Sequence, residues 1–101
     1  MGIETAVDGD LVTISIVGSF DVSAYEEFKA VCQANLTESN HFVIDMEKAS
    51  YMDSSALGML LLLREKTQGD KSRITLNNVG EDVKSILEIA QFNQLFVIKT
   101  R

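Results

Sequence analysis

The sequence predicts a single α/β domain: a mostly parallel mixed sheet, opened by an antiparallel β-hairpin, with helices packed against it. Three observations lead there. Short β-branched or apolar runs near residues 3–7, 11–17, 42–46, 74–76 and 96–98 read as strands. The segments between the later runs carry apolar residues at helical spacing. The resulting order, ββαβαβαβ, calls for right-handed crossovers between parallel neighbours. The 101 residues, 46% hydrophobic and 24% charged, suffice for one core in one domain.

Each element has a local cause. Asp8-Gly9-Asp10 is a tight-turn signal joining the first two runs as a hairpin. Val12, Ile14 and Ile16 alternate with Thr13 and Ser15, a half-buried strand that Gly18 should end. Ser23-Ala24-Tyr25-Glu26 matches a capping box, with Ser23 as the cap. Tyr25, Phe28, Cys32 and Leu36 then form one apolar stripe, and Ser39-Asn40 breaks the helix. The run 42–46, interrupted only by Asp45, suits a central strand covered on both faces.

Asp53-Ser54-Ser55-Ala56-Leu57-Gly58 opens a second helix, expected to run to about Gln68 and to stop at Gly69-Asp70. Leu57, Leu60 and Leu61 are expected on the sheet side, with Met59 and Leu62 pointing elsewhere as a contact patch. Residues 74–76 form a strand, and Asn77-Asn78 and Gly80 a loop. Glu81-Asp82 place acid in the first turn of a third helix with the stripe Val83, Ile86, Leu87 and Ala90. Phe92 to Leu95 is a short turn before the last strand.

Composition excludes several functions. The net charge is −6 and the nine Lys and Arg are scattered, so the electrostatic basis of nucleic-acid binding is missing. Cys32 is the only cysteine, which rules out an internal disulfide and suits a reducing compartment. Met1-Gly2-Ile3-Glu4 does not begin a leader, and no apolar run is long enough to span a membrane, so a cytoplasmic protein is expected. His41 stands alone, without the partners that a metal site or a hydrolase needs, and no glycine-rich phosphate loop is present. Neither a cofactor nor an enzyme activity is expected.

The six residues from Asp53 to Gly58 hold the functional information. A helix start offers unpaired N–H groups and the positive end of the dipole, a place that suits a capping hydroxyl and equally a phosphate. Ser54 is therefore either a plain cap or a site of modification, and Ser55 is the neighbouring alternative.

This motif resembles that of the STAS domain of bacterial anti-sigma factor antagonists. Gly18-Ser19-Phe20-Asp21 and Leu76-Asn77-Asn78-Val79 also match, and the resemblance covers essentially the whole chain. Ala56 stands where the family usually has Gly, and Phe20 where Ile or Leu is commoner. The resemblance implies a STAS-like fold and a non-enzymatic switch. Unmodified, such a protein sequesters an anti-sigma factor that is also a serine protein kinase. Phosphorylation, here of Ser54, releases it, and a metal-dependent serine phosphatase resets it. The implied partner surface comprises Asp21, Asp53, Ser54, Ser55, Ala56, Gly58 and Met59, with Ala56 adjusting partner fit. The alternative is a non-switching STAS subunit of a membrane transport complex of the ABC type.

Overall fold

The computed structural model describes residues 2–101; Met1, where the reading of an absent leader begins, lies outside them. The hairpin pairs β1 (Gly2–Asp8) with β2 (Leu11–Phe20) across a two-residue turn at Gly9-Asp10. Gly9 takes φ +60°, a left-handed conformation that costs glycine little. There follow α1 (Tyr25–Asn35), β3 (His41–Asp45), β4 (Ala49–Met52) and α2 (Ser54–Lys66). Then come β5 (Ile74–Val79), α3 (Glu81–Ile89) and β6 (Val97–Thr100).

The six-stranded sheet has the order β1-β2-β3-β5-β6, with β4 paired to β2 beyond the end of β3. All pairs except the hairpin are parallel. The helical connections β2→β3, β4→β5 and β5→β6 all step in the same direction across the sheet. Right-handed crossovers then put every connecting helix on one face. The register agrees: Val12, Phe42 and Ile74 form one buried row across the sheet, and Ile14, Ile44 and Leu76 the next. The opposite face carries Thr13, Ser15, Val43, Asp45 and Asn77, all half-buried.

That arrangement corrects several local expectations. β3 is central but covered on one face only, and its burial alternates residue by residue. Gly18 does not end β2. It takes φ +87° at a register shift, and the strand resumes to Phe20 with β4 as its new partner. Asn77 and Asn78 belong to β5; Asn78 sits in a left-handed kink at φ +55° and donates to Asp45 Oδ1 at 3.0 Å. β4 was not legible because Ala-Ser-Tyr-Met has no β-branched residue and no alternation of its own.

Helix packing brings further corrections. Ser23 is not the cap of α1: it lies in a short 3-10 turn whose cap is Asp21, and Leu36 falls just beyond the helix. On α2 the buried side chains are Ala56, Met59, Leu60 and Leu63; Leu61 and Leu62 are each 43% exposed. The third helix buries Val83 and Leu87, as its spacing requires. Phe20 and Phe28 join β2 to α1, their ring centroids 5.4 Å apart.

Cys32 is buried on α1, and loss of solvent pushes its thiol up to about 12, against the small opposing influence of Lys66. Above about pH 9 the unfolded thiol gives up its proton while the native one keeps it. The native state then binds more protons, so this group lowers stability as pH rises, by about 1.4 kcal/mol per pH unit. The denaturant midpoint of the wild type is expected to fall more steeply above about pH 9 than that of Cys32→Ala. Parallel slopes would refute the assignment.

Candidate functional site

The site lies at the carboxyl edge of the parallel strands, where open α/β sheets expose the ends of their helices. β4 hands the chain to α2 through Asp53, whose extended backbone leaves its side chain free to turn back. Asp53 Oδ1 accepts from the amide of Ser55 at 2.9 Å and from that of Ala56 at 3.3 Å. The helix cap is therefore the carboxylate. Ser54, at the first helical position, is not the cap that one reading of the sequence allowed.

That assignment frees the Ser54 hydroxyl. Ser54 is exposed, whereas Ser55 is half-buried. Among the described residues, neither serine hydroxyl contributes to holding the helix start together. The Asp53 amide donates to the carbonyl of Phe20 at 3.3 Å, which ties the start of α2 to the end of β2. Asp21 follows Phe20 directly and is brought to the same edge. Its Oδ1 accepts from the Ser23 amide at 3.0 Å and the Ser23 hydroxyl at 2.5 Å. Those contacts, the hydroxyl first, hold the Asp21 carboxyl below the usual carboxylate range.

Two residues expected on the partner surface are buried. Ala56 is 0% and Met59 3% exposed, and both belong to the core. Ala56 lies on the sheet side of the first turn, and Met59 follows it by three residues along the same side. The outward stripe of α2 is instead Ser54, Gly58, Leu61, Leu62 and Glu65. Counting in steps of three and four from Ser54 would have found Leu61 and Leu62. Val22, 70% exposed, and Tyr51, 54% exposed, flank the same edge on the chain segments next to Asp21 and Asp53. Nothing in the periodicity of the sequence marks those two.

Gly58 is anomalous as a helix residue. It lies inside α2 on the exposed side, and a Cβ added there would meet nothing within 4 Å. Internal packing does not require glycine at this position, yet glycine costs a helix roughly 0.5–1 kcal/mol relative to alanine. Gly58→Ala is expected to raise stability by about that amount, read as a higher denaturant midpoint.

The arrangement can accept a charge. Phosphate on the first helical residue faces the positive end of the helix dipole and is opposed by the adjacent Asp53 carboxylate. His41 lies at the amino end of β3, away from this edge, with Nε2 3.0 Å from Thr75 Oγ1. Among the described residues no three His, Cys, Asp or Glu side chains cluster as a metal site, and no helix is long and apolar enough to cross a membrane.

Comparison with known proteins gives a consistent picture. The family model for the STAS domain matches residues 2–101. A STAS-domain containing protein of Pseudomonas aeruginosa is 42% identical over 93 residues, 92% of each chain. The anti-sigma-B factor antagonist of Staphylococcus epidermidis is 29% identical over 97 residues, covering 94% of this chain and 89% of that one. The anti-sigma factor antagonist SpoIIAA in its unphosphorylated form superposes with a TM-score of 0.72 at 22% identity, covering 99% of this chain and 88% of the other. Its phosphorylated form from Bacillus gives 0.71 at 21% identity, with 99% and 93% covered. At such identities the superposition establishes a common fold.

Proposed function

Because this chain belongs to the STAS-domain family, we propose that it is a partner-switching regulator acting as an anti-sigma factor antagonist in the cytoplasm. Unphosphorylated, it binds and sequesters an anti-sigma factor that is also a serine protein kinase. Transfer of a phosphoryl group to Ser54 Oγ ends that binding, and a metal-dependent serine phosphatase restores it. The protein works by binding and carries out no catalysis of its own.

One observation carries this reading. Asp53 supplies the cap of α2, so the exposed Ser54 hydroxyl is dispensable to the fold and available to an incoming enzyme. Asp21, Ser54 and Gly58 supply the outward part of the contact surface, extended by the exposed Leu61, Val22 and Tyr51. Asp53 and Ser55 shape the helix start, while Ala56 and Met59 set the seat of α2 from inside. The bare backbone at Gly58 gives a partner close approach, so Gly58→Ala weakens binding even as it stabilises the domain.

The test is an intact-mass spectrum with fragmentation on protein recovered from its own cells, before and after treatment with a metal-dependent phosphatase. One phosphoryl group on Ser54, removed by the phosphatase, is expected. A protein unmodified under every growth condition would overturn the switch. A phosphate confined to Ser55 would move the switch by one residue.

A further inference from the structure

A second concave surface lies away from the helix start, between α1 and α2. This groove, open to solvent on one side, offers about 220 Å³. Its floor is Phe28, Met59 and Leu63, each at most 3% exposed, with Cys32 beside them. Tyr25 and Leu62 form the flanks. The two remaining lining residues are Lys29 and Lys66.

The charge at this groove departs from that of the molecule. The chain carries a net charge of −6, yet the two groove-lining residues that are charged at neutral pH, Lys29 and Lys66, are both cations. The Lys29 ammonium lies 5.8 Å from the centre of the Tyr25 ring, at the groove's edge. Lys66, exposed near the end of α2, lines the groove from the opposite helix. Apolar walls with cations at the mouth fit a ligand with an apolar body and one anionic end.

Volume limits the body. A cavity of roughly 150 Å³ lined by aliphatic and aromatic side chains takes benzene. A space half as large again takes a short acyl chain of about eight carbons, and is too small for a partner helix of several turns. We propose that the α1–α2 groove binds a medium-chain monocarboxylate, its chain between Phe28 and Leu63 and its carboxylate held by Lys29 and Lys66. This site is independent of Ser54 and does not rest on the switching role.

Sodium octanoate is the probe, titrated into uniformly 15N-labelled protein and followed by amide shifts. Saturable shifts confined to the facing sides of α1 and α2 are expected. The double variant Lys29→Met, Lys66→Met keeps the aliphatic stems and removes both charges from exposed positions, so it should fold as the wild type does. It is expected to bind octanoate about tenfold more weakly, and octan-1-ol should bind the wild type with a similar deficit. Absence of saturation by about 10 mM octanoate would overturn the proposal, since a site of millimolar affinity would be nearly filled there. So would equal affinity for acid and alcohol, or shifts at the groove that follow protein concentration without ligand, which would mark the face as a contact between copies.

Discussion

Phosphorylation of Ser54 is expected to weaken binding to a kinase-type anti-sigma partner at least about a hundredfold, while the thermal midpoint of the isolated domain moves by only a few degrees. The two halves of that expectation have different causes. The fold keeps its cap, because Asp53 Oδ1 and the amides of Ser55 and Ala56 do not involve the Ser54 hydroxyl. The dianion gains roughly 0.3–2 kcal/mol from the dipole of α2 and loses a comparable amount to Asp53. At a closed interface no such offset exists: a hundredfold loss needs only about 2.7 kcal/mol, and burying an unpaired dianion costs more than that. Ser54→Ala should bind constitutively, with stability changed by less than about 0.5 kcal/mol. Calorimetric binding and thermal melts of wild type, phosphoprotein and variant decide the matter. Unchanged affinity on phosphorylation, or a drop of about 10 °C or more in Tm, would contradict the mechanism.

Leu60→Ala is expected to cost about 2–5 kcal/mol of stability, and its neighbour Leu61→Ala well under 1 kcal/mol. Leu60 is 0% exposed and sits under α2 against the sheet. Truncating it removes apolar burial and leaves a cavity in a densely packed layer. Leu61, one residue on, points outward on the stripe that begins at Ser54. Its truncation should appear in partner binding and hardly at all in urea unfolding. Equal losses at the two positions would mean that α2 is seated about 100° from the orientation described.

Much of this was legible in the chain itself. Strand β2 and helix α3 follow from local patterning: Val12, Ile14 and Ile16 alternate with polar residues, and Val83 and Leu87 recur at helical spacing. The Asp-Ser-Ser motif located the start of α2. The face of α2 was not legible because six of the eight residues from Ala56 to Leu63 are Leu or Met, and periodicity carries no information where its contrast is lost. The caps were ambiguous for a similar reason: Asp and Ser both cap well, and in Asp21-Val22-Ser23 and Asp53-Ser54-Ser55 the carboxylate takes the amides.

By itself, then, the sequence determined the hairpin, the order of the three helices and of five of the six strands, and the position of the serine motif, all properties set by neighbours in the chain. Only the tertiary structure decided that the helices share one face of the sheet, that Gly18 redirects β2 onto β4, and that Met59 is core while Leu61 is surface. It also decided that Lys29 and Lys66, distant in sequence, face a common groove. Those outcomes depend on which segments meet across the sheet, and that is fixed by long-range burial rather than by local preference.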